Sequence, residues 1–107
     1  KAHPAVSGLR YPGIEGDPSH NLARSQMERF GFLISFDLGS EQKAEDFING
    51  CSLMHAATSF GGVHTVAERR LRRGDAVPPG FVRLSIGCEP TEELWAAMKD
   101  SLDRLAR

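Results

Sequence analysis

Phe81-Val82-Arg83-Leu84-Ser85-Ile86-Gly87-Cys88-Glu89 sets one arginine inside an otherwise apolar β-type run. Val82, Leu84 and Ile86 fall on one face at a period of two, and Arg83 and Ser85 fall on the other. The guanidinium is planar, permanently charged and shaped to take a carboxylate through two parallel hydrogen bonds. A strand that aims such a group away from its core-facing residues either solvates it or gives it an anion. This segment alone fits both readings.

Working outward, Phe32-Leu33-Ile34-Ser35-Phe36-Asp37-Leu38 is the strongest strand and reads as largely buried. Ser40 after Gly39 forms an N-cap, with Glu41 in the first turn. Ala44, Phe47, Ile48 and Cys51, spaced i, i+3, i+4 and i+7, predict a helix packing one face on the sheet, and Asn49-Gly50 stops it. Thr91 caps a terminal helix with Glu92 and Glu93 at its positive end and Arg104 and Arg107 at its negative end. Its core stripe is Leu94, Trp95, Met98, Leu102 and Leu105. Upstream, a Pro/Gly-rich extended linker (1–17) holds a short extended piece around Val6–Tyr11. Pro18-Ser19 then opens a helix whose Ala23, Met27 and Phe30 form a stripe ending at Gly31. Leu53–Thr58 and Val63–Ala67 are weaker strand candidates. The order predicts an α+β domain: a mostly antiparallel sheet of about four strands with helices on one face.

With 107 residues the chain is one domain, 1–107. Its 40% hydrophobic and 25% charged residues describe an ordinary globular domain. A net charge of −1 argues against nucleic acid or an anionic membrane as the main partner. No apolar run is long enough to span a bilayer. The chain opens Lys1-Ala2-His3-Pro4, without Met, and reads as an excised or tag-trimmed piece of something longer. Cys51 and Cys88 lack metal spacing and read as free, buried thiols of a reducing cytoplasm. His3, His20, His55 and His64 are scattered, so no metal site is expected. Arg69-Arg70 and Arg72-Arg73 form a basic cluster without interleaved aromatics, which favours a solvated or subunit-facing loop. Gly61-Gly62 reads as a plain turn, or as a place where a ligand approaches the backbone. No nucleophilic triad follows from spacing.

Taken in order, several segments resemble one family. They are Tyr11-Pro12-Gly13-Ile14, His20, Gln26-Met27, Phe30-Gly31, Leu33 to Leu38, Ala57-Thr58-Ser59-Phe60-Gly61-Gly62-Val63, and Val82 to Glu89. Together they look like the C-terminal domain of the Cys/Met-metabolism enzymes that use pyridoxal phosphate (PLP), which include cystathionine γ-lyase, cystathionine γ-synthase and methionine γ-lyase. Ala67-Glu68-Arg69-Arg70, with Asp75 through Phe81, resembles the actinobacterial cystathionine γ-lyase-like branch.

The resemblance implies that Arg83 grips the substrate α-carboxylate. Ser59 would lie peripherally by the cofactor and near that carboxylate, and PLP would be bound mainly by an upstream domain. It implies γ-elimination, with C–S cleavage of a sulfur amino acid in transsulfuration, or the synthase's transfer reaction. It also implies a cytoplasmic homotetramer. Two departures stand out. Where the family often has an acidic residue and Ser after Gly-Gly-Val, this chain has His64-Thr65, which bears on the distal end of the substrate; a surface histidine without a role reads the same. Lys1, Lys43 and Lys99 lack the cofactor-lysine motif, so the chain alone is expected to be inactive. A free-standing α+β ligand-binding or assembly module without catalysis is the competing reading.

Overall fold

A computed structural model describes residues 3–58, 60–74 and 76–105, the side chains of Arg72 and Arg73 excepted. Lys1, Ala2, Ser59, Asp75 and Arg107, named above, lie outside it. The order is β1 (Ser7–Arg10), α1 (His20–Gln26), β2 (Leu33–Asp37), α2 (Glu41–Gly50), β3 (His55–Ala56), β4 (Val66–Arg69), a single 3-10 turn (Arg70–Arg73), β5 (Phe81–Ser85) and α3 (Thr91–Leu105). The strands form one sheet in the order β1-β2-β5-β4-β3. β1–β2, β2–β5 and β5–β4 pair antiparallel, and β3 lies parallel to β4. The expected α+β layer stands, with five strands rather than about four.

Alternation decides the two faces. Val82 pairs with Phe36 and Arg69, and Leu84 pairs with Ile34 and Ala67. These positions, with Arg69 the exception, meet Ala44, Phe47 and Ile48 of α2 and Leu102 of α3 in the buried core. Phe36 and Phe47 stack edge to face with centroids 5.8 Å apart. Complete burial of Phe47 alone contributes about 2–3 kcal/mol. The helix works because Ser40 Oγ accepts from the Lys43 amide and Glu41 sits in the first turn. Ser101 of α3 closes the other end by donating to the Phe47 carbonyl at 2.8 Å.

Several expectations are corrected. α1 stops at Gln26 because Met27 is already extended (φ −124°, ψ 136°). Met27 is therefore exposed, and Phe30 leaves the stripe to stack on His20 at 5.4 Å. β2 is only half-buried, since no described helix covers its second face, and Leu33 is exposed. β4 lies at Val66–Arg69 and leaves Val63 exposed in the preceding loop. Trp95 is 48% exposed, at the margin of the stripe that buries Leu94 and Leu102. Cys51 is buried, which pushes its thiol up, whereas Cys88 lies beyond the end of β5 and is exposed. Arg69 is not solvated. It faces α2, with Nε 3.0 Å from Glu45 and a second contact at 3.1 Å to Glu41.

Candidate functional site

The face of the sheet opposite the core carries a row of polar residues in register: Arg10 on β1, Ser35 on β2, Arg83 on β5 and Glu68 on β4. Arg10, Ser35 and Arg83, with Arg70, Leu33 and Phe81, line a hollow of about 320 Å³. Two of its guanidiniums have acids. Arg10 donates to Asp17 through Nε at 3.0 Å and Nη2 at 3.4 Å, and Arg70 reaches Glu68 at 3.2 Å. Arg83 has no carboxylate partner among the described residues. Its Nη2 donates to the Thr58 carbonyl, and its Cζ lies 5.0 Å from the centroid of the Phe60 ring. The half-buried guanidinium keeps the rest of its N–H fork open, which suits a carboxylate.

The loop beside it is fastened to the strand that bears Arg83. Gly61 adopts φ +80° and donates its amide to Ser85 Oγ at 3.0 Å. Thr65 donates its amide and its hydroxyl to Glu89 at 2.7 and 2.6 Å, and its Oγ1 accepts from the Gly87 amide at 2.9 Å. Burial pushes the Glu89 carboxyl up, and the two Thr65 hydrogen bonds, with smaller help from its own backbone amide and His64, hold it below its ordinary value. A Cβ on Gly87 would come within 2.4 Å of the Val63 carbonyl oxygen and the His64 carbonyl carbon, so only glycine lets the two segments lie this close.

The structure thus brings Arg83 together with Thr58 and Phe60, the neighbours of Ser59 on both sides, and ties Gly61 to Ser85 on the same strand. It does not bring His64 to the hollow. That ring is exposed and packs edge-on against His55, with centroids 5.2 Å apart. Lys43 and Lys99 belong to α2 and α3, on the core side of the sheet, and Lys99 is paired with Asp103 at 2.8 Å. No described lysine reaches the Arg83 face.

Sequence reading missed three residues that shape the site: Arg10, Asp17 and Glu89. Asp17 is buried and gathers Arg10, the Tyr11 amide, and the Ser19 amide and hydroxyl. Arg10, then Ser19 and Tyr11, hold its carboxyl far below the usual carboxylate range against the cost of burial. Asp17 directly before Pro18-Ser19 was the available signal, because an Asp in that place commonly accepts from the backbone two residues on. The same turn explains the Tyr11-Pro12-Gly13 segment. His20 Nδ1 lies 2.7 Å from the Pro12 carbonyl oxygen, and Tyr11 donates its hydroxyl to the Gly31 carbonyl at 3.0 Å.

This geometry has relatives. The sequence profile of the Cys/Met metabolism PLP-dependent enzymes matches residues 1–103. A provisionally named cystathionine γ-lyase of Streptomyces coelicolor is 49% identical over 104 residues, covering 96% of this chain and 26% of the relative. That agrees with the actinobacterial branch read from the 67–81 segment. The solved structure of metB from Corynebacterium glutamicum superposes with a TM-score of 0.88 at 37% identity, covering 95% of this chain and 29% of that one. Cystathionine γ-synthase from Xanthomonas oryzae pv. oryzae, solved with cystathionine, also gives 0.88, at 30% identity, covering 98% and 30%. The chain therefore spans under a third of the length of each of these relatives, and it belongs to the Cys/Met-metabolism family of PLP-dependent enzymes.

Proposed function

We propose that residues 1–107 are the C-terminal substrate-binding domain of a PLP-dependent enzyme of sulfur amino-acid metabolism, with 1–17 as its extended linker. The reaction is C–S bond cleavage by γ-elimination, of the cystathionine γ-lyase type. The observation that carries this reading is the Arg83 guanidinium: charged, half-buried, fixed by Thr58 and without a carboxylate of its own among the described residues. A buried or half-buried cation keeps its charge at a cost unless an anion meets it. The α-carboxylate of an amino acid is an anion of the right shape for its open edge.

The residues present fit the substrate side of such a site and not the attachment of the cofactor. Guanidinium and hydroxyl donors line the hollow, while the described lysines lie across the sheet. In this reading PLP is held mainly by the part of the protein outside residues 1–107, and the domain alone is inactive. PLP, when bound, supplies the electron sink for cleavage. This chain holds one end of the substrate still, so that the reacting bonds keep their orientation, and positioning of that kind accounts for several kcal/mol of barrier reduction. Ser59, between two residues that touch Arg83, is proposed to lie beside the same carboxylate. His64, standing off the hollow, is proposed to face the distal part of the substrate. The whole protein is proposed to be a cytoplasmic homotetramer, as the family resemblance implies. Among the described residues no helix is long and apolar enough to cross a membrane.

The test is Arg83→Ala in the full-length protein. Loss of a charge-assisted bidentate contact costs about 1.5–3 kcal/mol, so KM for the amino-acid substrate is expected to rise roughly 10- to 150-fold. Unchanged kinetics would overturn the assignment. Saturable binding of an amino acid to the 107-residue chain without PLP would instead favour the free-standing module.

A further inference from the structure

We propose that Phe60 is a positioning residue for the carboxylate clamp: its ring holds the Arg83 guanidinium in the plane that an incoming α-carboxylate meets, an inference that rests on the proposed role of Arg83. A large apolar side chain 57% exposed, on a loop that could turn it elsewhere, lies instead against a cation at 5.0 Å from centroid to Cζ. Arginine prefers this arrangement because the ring face is negative and the guanidinium is weakly hydrated.

The three contacts divide the guanidinium between them. The Thr58 carbonyl takes one N–H of Nη2, and the guanidinium carbon lies over the Phe60 ring. Gly61, whose amide is tied to Ser85 Oγ two residues along the same strand, fixes where Phe60 can stand. The loop is supported from beneath as well, since a Cβ at Gly61 would lie 3.4 Å from Phe32 Cζ. What remains open is one edge of the fork. A guanidinium free to rotate about its last torsions would have to be ordered by each substrate; one already held against a ring and anchored does not. Phe60 thereby acts through Arg83 rather than on the reacting atoms.

The experiment is a double-mutant cycle in the full-length protein, read by calorimetric titration of L-norleucine, an amino acid with no leaving group at Cγ, and by thermal unfolding. Phe60→Leu is expected to weaken binding about 3- to 10-fold, the range that a partly desolvated cation–π contact supports. The unfolding midpoint is read beside binding, so that weaker binding with an unchanged midpoint is separated from a loss of fold. Phe60→Trp, which keeps the ring face, should bind within about twofold of wild type. In an Arg83→Gln background Phe60→Leu should have no further effect, because the residue it orients is gone. With substrate, KM should rise and kcat stay level. If Phe60→Leu binds like wild type while Arg83→Gln is weakened, the positioning role is wrong and the Arg83 reading survives. The same holds if Phe60→Leu weakens binding equally in both backgrounds. If Arg83→Gln leaves L-norleucine binding intact, the carboxylate reading fails, and this inference fails with it.

Discussion

Asp17 shows how much one buried carboxylate organises near the site. It holds Arg10, which lines the hollow with Arg83, and it fixes the turn that starts α1. Its folded pKa is depressed, chiefly by Arg10 and Ser19, relative to an unfolded value of about 3.9. The unfolded state therefore takes up a proton at a higher pH than the folded state. The stability this provides is present at neutral pH and is lost as pH falls from about 5 downward. Denaturant unfolding of the 107-residue chain should weaken over that window. Asp17→Asn should be less stable at pH 7 and show a flatter acid limb, and equal limbs for the two proteins would contradict the assignment. Arg83 was legible in the sequence because a lone charge in an apolar strand has to be explained. Asp17 and Arg10 were not, because their pairing depends on how Pro12 and Gly13 fold the chain back, which spacing alone does not encode.

At the scale of elements, α2 is the part that sequence reads best. Cap, dipole charge and apolar period agree, and each appears where expected: Ser40 on the Lys43 amide, Glu41 in the first turn, and Ala44, Phe47 and Ile48 in the core. Ser40→Ala should cost about 1 kcal/mol and speed hydrogen exchange in the first turn of α2. An unchanged stability would mean that the cap is replaced by solvent. Strands on the half-open face read less well. β3 is two residues long and owes its existence to β4 beside it. The limits of β4 depend on Arg69 reaching Glu41 and Glu45 on α2, a charge on the core side that no alternation pattern would assign inward. α1 ended early for a similar reason, since Phe30 is drawn to His20 instead of continuing a helical stripe.

At the scale of the molecule, one face of the sheet is closed by α2 and α3, and the other presents Arg83 among Leu33, Phe60 and the charged row. The relatives are three to four times as long as this chain, as their 26–30% coverage implies. In the proposed reading, the rest of such a protein meets this second face and encloses the substrate there. The family was legible because motifs scattered over most of the chain fall in one order. Those motifs meet in space in two groups: the Tyr11–Gly31 turn, and the loop and strand around Arg83. The most direct test of the carboxylate clamp is a crystal structure of the full-length protein with L-norleucine bound. The account predicts both carboxylate oxygens within about 2.7–2.9 Å of Arg83 nitrogens on the edge not used by Thr58. A bound amino acid whose carboxylate rests on other groups, with Arg83 still facing solvent, would contradict it.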